Sequence, residues 1–99
     1  MYKRQQDGFT ALTDAADEGH ASVVTLLLAD DRVDPNIGDE DGFTALMWAA
    51  DRGHASVVTL LLADERVDPS IADQNGVTAL IFAAFKGHAS VVTLSLIHI

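Results

Sequence analysis

The sequence predicts an all-α solenoid of stacked helix-turn-helix units, and three observations support this. The segment GFTALMWAADRGHASVVTLLL, starting at Gly42, has near-copies that start at Gly8 and Gly76. These glycines lie 34 residues apart, and a fixed period of that size is typical of stacked repeats. Each copy also holds two short segments with the apolar pattern of helices, joined through a single glycine.

The middle copy carries signals for both of its helices. The hydroxyl of Thr44 can cap the unpaired N–H groups at the start of the first helix. That helix is expected to run for about two turns, through Ala49 and Ala50. Gly53 fits a left-handed position at its C-terminus. From residue 54 to residue 63, aliphatic side chains cover more than half of a helical circumference, which predicts a second helix packed between layers.

Stacking of the copies is the way to bury these faces. Isolated helices shorter than about 12 residues are marginal in water. The small residues Ala45, Ala49 and Ala50 let first helices approach closely, while bulky aliphatics of the second helices fill the layer behind them. We therefore expect a curved stack with the small residues on its concave side.

The shared pattern T-A-L-x-x-A-A-x-x-G-H-x-x-V-V-x-L-L-L resembles the ankyrin repeat and covers roughly residues 7 to 94. The resemblance implies repeats at 6–40, 41–74 and 75–94, the last truncated, joined by β-hairpin-like fingers. Two departures stand out. The family's T-P-L-H reads here T-A-L followed by Thr13, Met47 or Ile81, and one residue is added after the second helix. Both changes are expected to weaken the repeats without changing the fold.

The two termini depart from the repeat. Residues 1–5, MYKRQ, resemble the translation of a transposon-end sequencing adapter, and LSLIHI at 94–99 resembles the translation of its reverse complement. We expect 1–5 and 95–99 to be adapter-derived tails on a fragment of a longer protein. Without Lys3 and Arg4 the charge count is 4 basic against 15 acidic residues, a net charge of −11.

Composition excludes several classes of protein. The 99 residues are 48% hydrophobic, carry a net charge of −9 and include no cysteine, so we expect one domain without disulfides. No apolar run of about 18 residues and no leader-like segment is present, which favours an intracellular rather than a secreted or membrane-spanning protein. An acidic chain is also a poor candidate for binding nucleic acid.

The acidic fingertips, residues 39–42 and 73–76, are expected to be turns. As a calcium loop, Asp39, Asp41 and Gly42 fill the third, fifth and sixth positions, but Ile37 and Trp48 occupy the first and last ligand positions. Asp, Asn and Gly at these places are the ordinary residues of turns.

His20, His54 and His88 occupy the same place in each copy. Stacked helices lie about 8 to 10 Å apart, whereas zinc ligands lie about 2 Å from the metal, so this row cannot converge on one ion. We expect each ring to bond backbone groups at the turn into the second helix. The sequence also lacks a cysteine nucleophile, a glycine-rich phosphate loop and a G-x-S-x-G motif, so we predict no catalytic, cofactor or metal site.

Differences among the copies indicate where a partner binds. GHASVVTL is identical in all three, whereas first-helix residues change from copy to copy. In proteins that resemble this one, partners contact fingertips and exposed first-helix positions. Trp48 and Phe82 are expected instead to fill space between repeats. The positions that match partner contacts are Glu40, Asp41, Phe43, Asp51 and Arg52 in the second repeat and Gln74, Asn75, Val77, Phe85 and Lys86 in the third.

The resemblance implies a non-enzymatic protein-protein interaction module, with no cofactor and no small-molecule substrate. Its first-helix surface grades from acidic Asp14, Asp17 and Glu18 to Phe85 and Lys86, so the expected protein partner combines a basic patch with an apolar anchor. The alternative is a regulatory or substrate-recruiting segment of an enzyme or channel whose functional domain lies outside this chain.

Overall fold

The structure is a computed structural model that describes residues 11–39 and 41–97, with side chains up to residue 93. These residues form six short helices in two rows. The helices are α1 (Ala11–Glu18), α2 (Ala21–Leu28), α3 (Ala45–Arg52), α4 (Ala55–Ala63), α5 (Ala79–Phe85) and α6 (Ala89–Ile97). The predicted all-α stack of helix-turn-helix units is confirmed.

In the middle repeat, Thr44 and Gly53 take the helix-capping roles that the sequence predicts. The Thr44 hydroxyl accepts a hydrogen bond from the Met47 N–H at 3.3 Å at the start of α3. Gly53 ends α3 at φ 75°, ψ 25°, the left-handed conformation that favours glycine. The second helix begins at Ala55, one residue later than expected, because His54 precedes it in a non-helical conformation.

The core lies between the two rows of helices. α1, α3 and α5 pack side by side in the first row, and α2, α4 and α6 form the second row behind them. Val57, Val58 and Leu61 of α4 are completely buried between neighbouring repeats. The first row is close-packed through small side chains that are at most 1% exposed: Ala15, Ala16, Ala45, Ala49, Ala50 and Ala83.

An aspartate closes each finger. The Asp39 N–H donates to the Phe43 carbonyl at 2.9 Å, and Asp39 Oδ1 accepts from the N–H groups of Asp41 and Phe43. Asp73 makes the same bonds within the next finger. The Gln74 N–H reaches the Asp41 carbonyl at 3.4 Å, so the two fingers lie side by side. Among the described residues there is one isolated β-bridge, between Ala72 and Thr78 on the two arms of the later finger, rather than regular strands.

These bonds explain the acidic fingertips as turns. The carboxylates of Asp39 and Asp73 accept backbone N–H groups of their own fingers, which is how aspartate stabilises a turn. Within the described ranges, no three His, Asp or Glu side chains lie close enough together to hold a metal ion.

Arg66 ties the loop after α4 to the loop after α2. Its Nη1 donates to the Val33 carbonyl at 2.9 Å, and its Nη2 donates to the Leu28 carbonyl at 2.7 Å. Asp64 holds the same guanidinium at 2.8 Å, and this hydrogen bond lowers the pKa of the Asp64 carboxyl. In return, Asn36 Nδ2 donates to the Arg66 carbonyl at 2.6 Å. The loop after the second helix, where the sequence has one added residue, therefore forms a polar junction between repeats.

We expect Arg66→Gln to lower the urea midpoint of unfolding, because it leaves two backbone carbonyls without their donor. Arg32 is the matched control. It occupies the same place one repeat earlier, but its bonds run to Asp30 within the same loop, and its side chain is 89% exposed. Arg32→Gln should leave the midpoint close to that of the parent. Equal effects of the two changes would contradict a special role for Arg66.

The Asp64–Arg66 pair also makes stability depend on pH. Because the folded state lowers the pKa of Asp64, the pair stabilises the fold above the ordinary carboxyl pKa of about 3.9 and loses that effect as pH falls through the folded value. The difference in urea midpoint between the parent and Asp64→Asn should therefore be largest near neutral pH and shrink below about pH 4.

The predicted tail 1–5 lies outside the described residues. The backbone of α6 continues through Ile97, past the expected end of the third repeat at residue 94, and the side chains from residue 94 onward are outside the description. Among the helices described, none is long and apolar enough to cross a membrane.

Candidate partner-binding face

The fingertips present polar side chains to solvent. Asp41, Gln74 and Asn75 are all exposed. The backbone N–H groups of Asp41 and Asn75 donate to the aspartates that close the fingers. These bonds fix the backbone position from which the two side chains extend. Glu40 lies outside the described residues. Val77 is half-buried, and both its N–H and its carbonyl bond to Asp73, so it mainly shapes the finger.

An aromatic cluster joins the finger of the second repeat to the first helices of two repeats. The Phe43 ring lies 5.3 Å from Trp48 and 5.1 Å from Phe82, between ring centroids, in tilted and edge-on arrangements. Trp48 Nε1–H donates to Asp39 Oδ2 at 3.2 Å. All three rings are half-buried. Phe43 and Phe82 pack across the repeat junction, as expected for Phe82, and each residue remains partly exposed.

Two ion pairs join neighbouring repeats on the first-helix surface. Arg52 Nε donates to Asp17 Oδ1 at 2.7 Å, and the guanidinium lies 5.6 Å from the centroid of the Trp48 ring. The hydrogen bond to Asp17 raises the pKa of Arg52 further above its ordinary value, so this group stays charged. Lys86 Nζ lies 3.5 Å from Asp51 Oδ1. Each basic residue is thus paired with an acid of the repeat before it.

These pairs change the expected accessibility of the predicted contact residues. Arg52 and Lys86 are about half exposed, with side-chain values of 51% and 47%. Asp51 is only 18% exposed, because its carboxylate faces Lys86. It is therefore less accessible than the sequence indicates, and it contributes to the junction between repeats.

Phe85 is the most exposed large apolar residue among the described residues of this surface. Its side chain is 84% exposed at the end of α5, directly before Lys86. Asp14 is half-buried and Glu18 is exposed on α1, and neither forms an ion pair with a described residue. The first-helix surface therefore has unpaired acids in the first repeat and an exposed aromatic ring in the third.

The repeated histidines hold repeats together. The His54 ring nitrogen Nε2 lies 3.0 Å from the Asp17 carbonyl, and His88 Nε2 lies 2.9 Å from the Asp51 carbonyl. Because a carbonyl oxygen only accepts, Nε2 carries the donated proton in each ring. Backbone bonding was expected, but the acceptor belongs to the preceding repeat rather than to the local turn.

Two features of this face escaped the sequence analysis. The ion pairs join residues 35 apart, Asp17 with Arg52 and Asp51 with Lys86, and the signal for them is an acid and a base separated by one period plus one. Turns were expected at residues 39–42 and 73–76, but not the way in which the carboxylates of Asp39 and Asp73 each accept two backbone N–H groups of their own finger.

Comparisons with known proteins agree with this architecture. A family model described as ankyrin repeats (3 copies) matches residues 31–98, and a single ankyrin-repeat model matches residues 7–40. No curated protein matches the chain.

A solved structure of the predatory endopeptidase Bd0816 from Bdellovibrio bacteriovorus in complex with immunity protein Bd3460 contains a similar chain, 33% identical with a TM-score of 0.81. The match covers 89% of this chain and 45% of that one, so this chain spans less than half of its length. Ankyrin repeats are protein-interaction modules, and the chain belongs to the ankyrin-repeat family.

Proposed function

We propose that this chain is a protein-binding segment of a larger ankyrin-repeat protein, acting inside the cell without catalysis of its own. It holds its partner over the fingertips and the exposed surface of the first helices. The observation that carries the proposal is a contrast between copied and varied residues. Val57 and Val58, which belong to the segment copied in every repeat, are completely buried, whereas the varied residues at the ends of the first helices include exposed Phe85, Arg52 and Lys86.

The charges on this surface support a particular kind of partner. Asp14 and Glu18 in the first repeat are unpaired among the described residues, whereas the bases of the second and third repeats are neutralised by Asp17 and Asp51. A partner with a basic patch opposite the first repeat and an apolar side chain opposite Phe85 is complementary to this pattern. The solved structure with a similar chain is itself a complex between an enzyme and another protein.

Phe85 is expected to contribute most to binding. Exposed aromatic side chains at the centre of an interface can cost about 2 kcal/mol or more in binding when truncated, whereas surface truncations change stability by about 0.5 kcal/mol or less. Phe85→Ala should therefore weaken the complex about thirtyfold or more while leaving the denaturant midpoint of the free protein nearly unchanged.

The test begins with the full-length protein as bait to identify the partner, followed by isothermal titration calorimetry with purified variants. Alanine replaces Asp51, Arg52, Phe85 or Lys86 in turn. Ser56→Ala and Thr59→Ala are the controls, since both positions are exposed on α4 in the second row. Weaker binding by the Ser56 and Thr59 variants, together with unchanged binding by the other four, would sink the proposed face.

A further inference from the structure

Trp48 bonds the finger of the second repeat in addition to packing between repeats. Its Nε1–H donates to Asp39 Oδ2 at 3.2 Å, while Asp39 Oδ1 accepts the N–H groups of Asp41 and Phe43. The two carboxylate oxygens of Asp39 therefore join the turn of the finger to a side chain of α3. A hydrogen bond to a carboxylate is roughly twice as strong as one between neutral groups. The finger is thus attached to α3 by a bond that a phenyl ring cannot make.

The same indole also contacts Arg52, one helical turn further along α3. The Arg52 guanidinium lies 5.6 Å from the centroid of the Trp48 ring, and its Nε donates to Asp17 Oδ1 in the first repeat. A cation near an indole face is attracted by the negative charge of the π-system. Trp48 therefore contacts both the finger and the basic side chain at the end of α3, and both belong to the candidate binding face.

The third repeat provides a natural comparison for this bond. Phe82 takes the place of Trp48 one period later, and Asp73 takes the place of Asp39. Asp73 Oδ1 accepts two backbone N–H groups of its own finger, as in the second repeat. A phenyl ring has no N–H to donate. The two fingers therefore share their internal turn bonds and differ in the bond that attaches the finger to its first helix.

We propose that Trp48 is a positioning residue of the binding face. Its bond to Asp39 holds the finger of the second repeat in one place relative to α3 and Arg52 before a partner arrives. This inference rests on the proposed function, because it assigns a role within the same face. A surface that is fixed beforehand loses less conformational entropy when it binds. The second repeat then supplies the rigid part of the face, and the indole N–H is the group responsible.

A space-filling role for Trp48 gives the opposite expectation. If the ring only filled space, phenylalanine should replace it without consequence for the finger, as it does in the third repeat. Trp48→Phe keeps a large ring beside Phe43 and removes the N–H. Asp39→Asn removes the oxygen that accepts the indole and keeps one oxygen for the turn, where asparagine is an ordinary residue. The two variants remove the same bond from its two ends.

Exchange of backbone amide protons with water, measured by NMR in the free chain, tests whether the finger is held. In Trp48→Phe, the amides of Asp41 and Phe43 should exchange about two- to tenfold faster than in the parent, the change expected for loss of one hydrogen bond. The amides of Asn75 and Val77, in the later finger, should keep the parental rates. Unchanged rates at Asp41 and Phe43 overturn the proposal. Equal acceleration in both fingers also overturns it, because it indicates a general loss of stability.

The indole proton tests the other end of the bond. The chain has one tryptophan, so its spectrum contains a single indole N–H signal. Asp39→Asn should make this proton exchange about two- to tenfold faster. Asp73→Asn is the matched control, because it makes the same change in the later finger and should leave the indole proton unaffected. Equal effects of the two changes would show that Asp39 does not hold the indole.

The effect on binding is measured by isothermal titration calorimetry against the protein captured by the full-length bait. Trp48→Phe and Asp39→Asn should each raise the dissociation constant about two- to tenfold, with a less favourable entropy of binding. The double variant should bind no more weakly than the weaker of the two single variants, since each single change already removes the shared bond. Effects that add would mean that the two side chains contact the partner separately, which contradicts a positioning role.

The two measurements distinguish failure of this inference from failure of the proposed function. If alanine at Phe85 or Lys86 weakens binding while finger exchange does not respond to Trp48→Phe, the proposed face stands and the role of Trp48 is overturned. If finger exchange responds as expected but none of the variants on this face alters affinity, the finger is held as described and the partner binds elsewhere. That result overturns the proposed function and, with it, the role of Trp48 in binding.

Discussion

Leu61→Ala should lower the free energy of unfolding by about 2 to 5 kcal/mol, the range for removing a large aliphatic side chain from a close-packed core. Leu61 is completely buried in α4, which packs against α2, α3 and α6. These three helices belong to three repeats, so a cavity in α4 is expected to weaken both junctions of the middle repeat. A loss of this size approaches the total stability of a small domain.

The matched control is Leu26→Ala. Leu26 belongs to the equivalent helix of the first repeat, yet it is 73% exposed, so the change should cost less than about 0.5 kcal/mol. Urea unfolding followed by circular dichroism gives both values from the midpoint and the slope. Equal losses for the two leucines would show that α4 is not packed between repeats.

Gly53→Ala should lower the free energy of unfolding by about 2 to 3 kcal/mol, through two separate effects. The first is the left-handed conformation at φ 75°, which costs a residue with a Cβ atom about 1 to 2 kcal/mol. The second is a clash, because the new Cβ lies 2.8 Å from the His88 ring. To relieve it the ring must move away from the Asp51 carbonyl, which removes a hydrogen bond of about 1 kcal/mol.

Gly87→Ala separates the two effects. Gly87 has the same φ of 75° but no described neighbour within 4 Å of a Cβ atom, so the change should cost only the conformational part, about 1 to 2 kcal/mol. Both variants are measured by urea unfolding in dilute solution. If Gly87→Ala proves as destabilising as Gly53→Ala, the contact between Gly53 and His88 carries no energy.

Features that depend on local backbone chemistry could be predicted from the sequence. Thr44 and Gly53 act within one helix turn, and their cap roles follow from rules that need no knowledge of neighbouring repeats. The burial of Leu61 could be predicted because apolar side chains cover more than half of the circumference of its helix. Such a helix is stable in water only when other elements pack against several of its sides.

Features that depend on the offset between repeats could not be predicted. The pairing of Arg52 with Asp17 rather than with a residue of its own helix is set by how far one first helix is shifted along the next. The same shift covers Asp51, which the repeat pattern alone places on the exposed surface. Arg66 bonds the carbonyl of Leu28 at the end of α2 and that of Val33 in the following loop, and a periodic sequence pattern does not indicate bonds to backbone atoms.

The candidate binding face also combines features that could be predicted from the sequence with features that could not. The sequence predicts that Phe85 and Lys86 are accessible at the end of a first helix, and the structure exposes both, although Asp51, at the position equivalent to Phe85, is only 18% exposed. The aromatic contacts of Phe43 with Trp48 and Phe82 bring a finger and two helices together, which is a tertiary arrangement that spacing in the sequence does not define.

Nitrogen-15 NMR of the histidine rings tests most directly whether the copied residues join each repeat to the one before it. In dilute protein at a pH where the rings are neutral, His54 and His88 should each show a single tautomer protonated at Nε2, with slow proton exchange, because both donate to a carbonyl of the preceding repeat. His20 has the same sequence context but no described acceptor, so it should show averaged tautomers and fast exchange. Indistinguishable spectra for the three rings would contradict the stack.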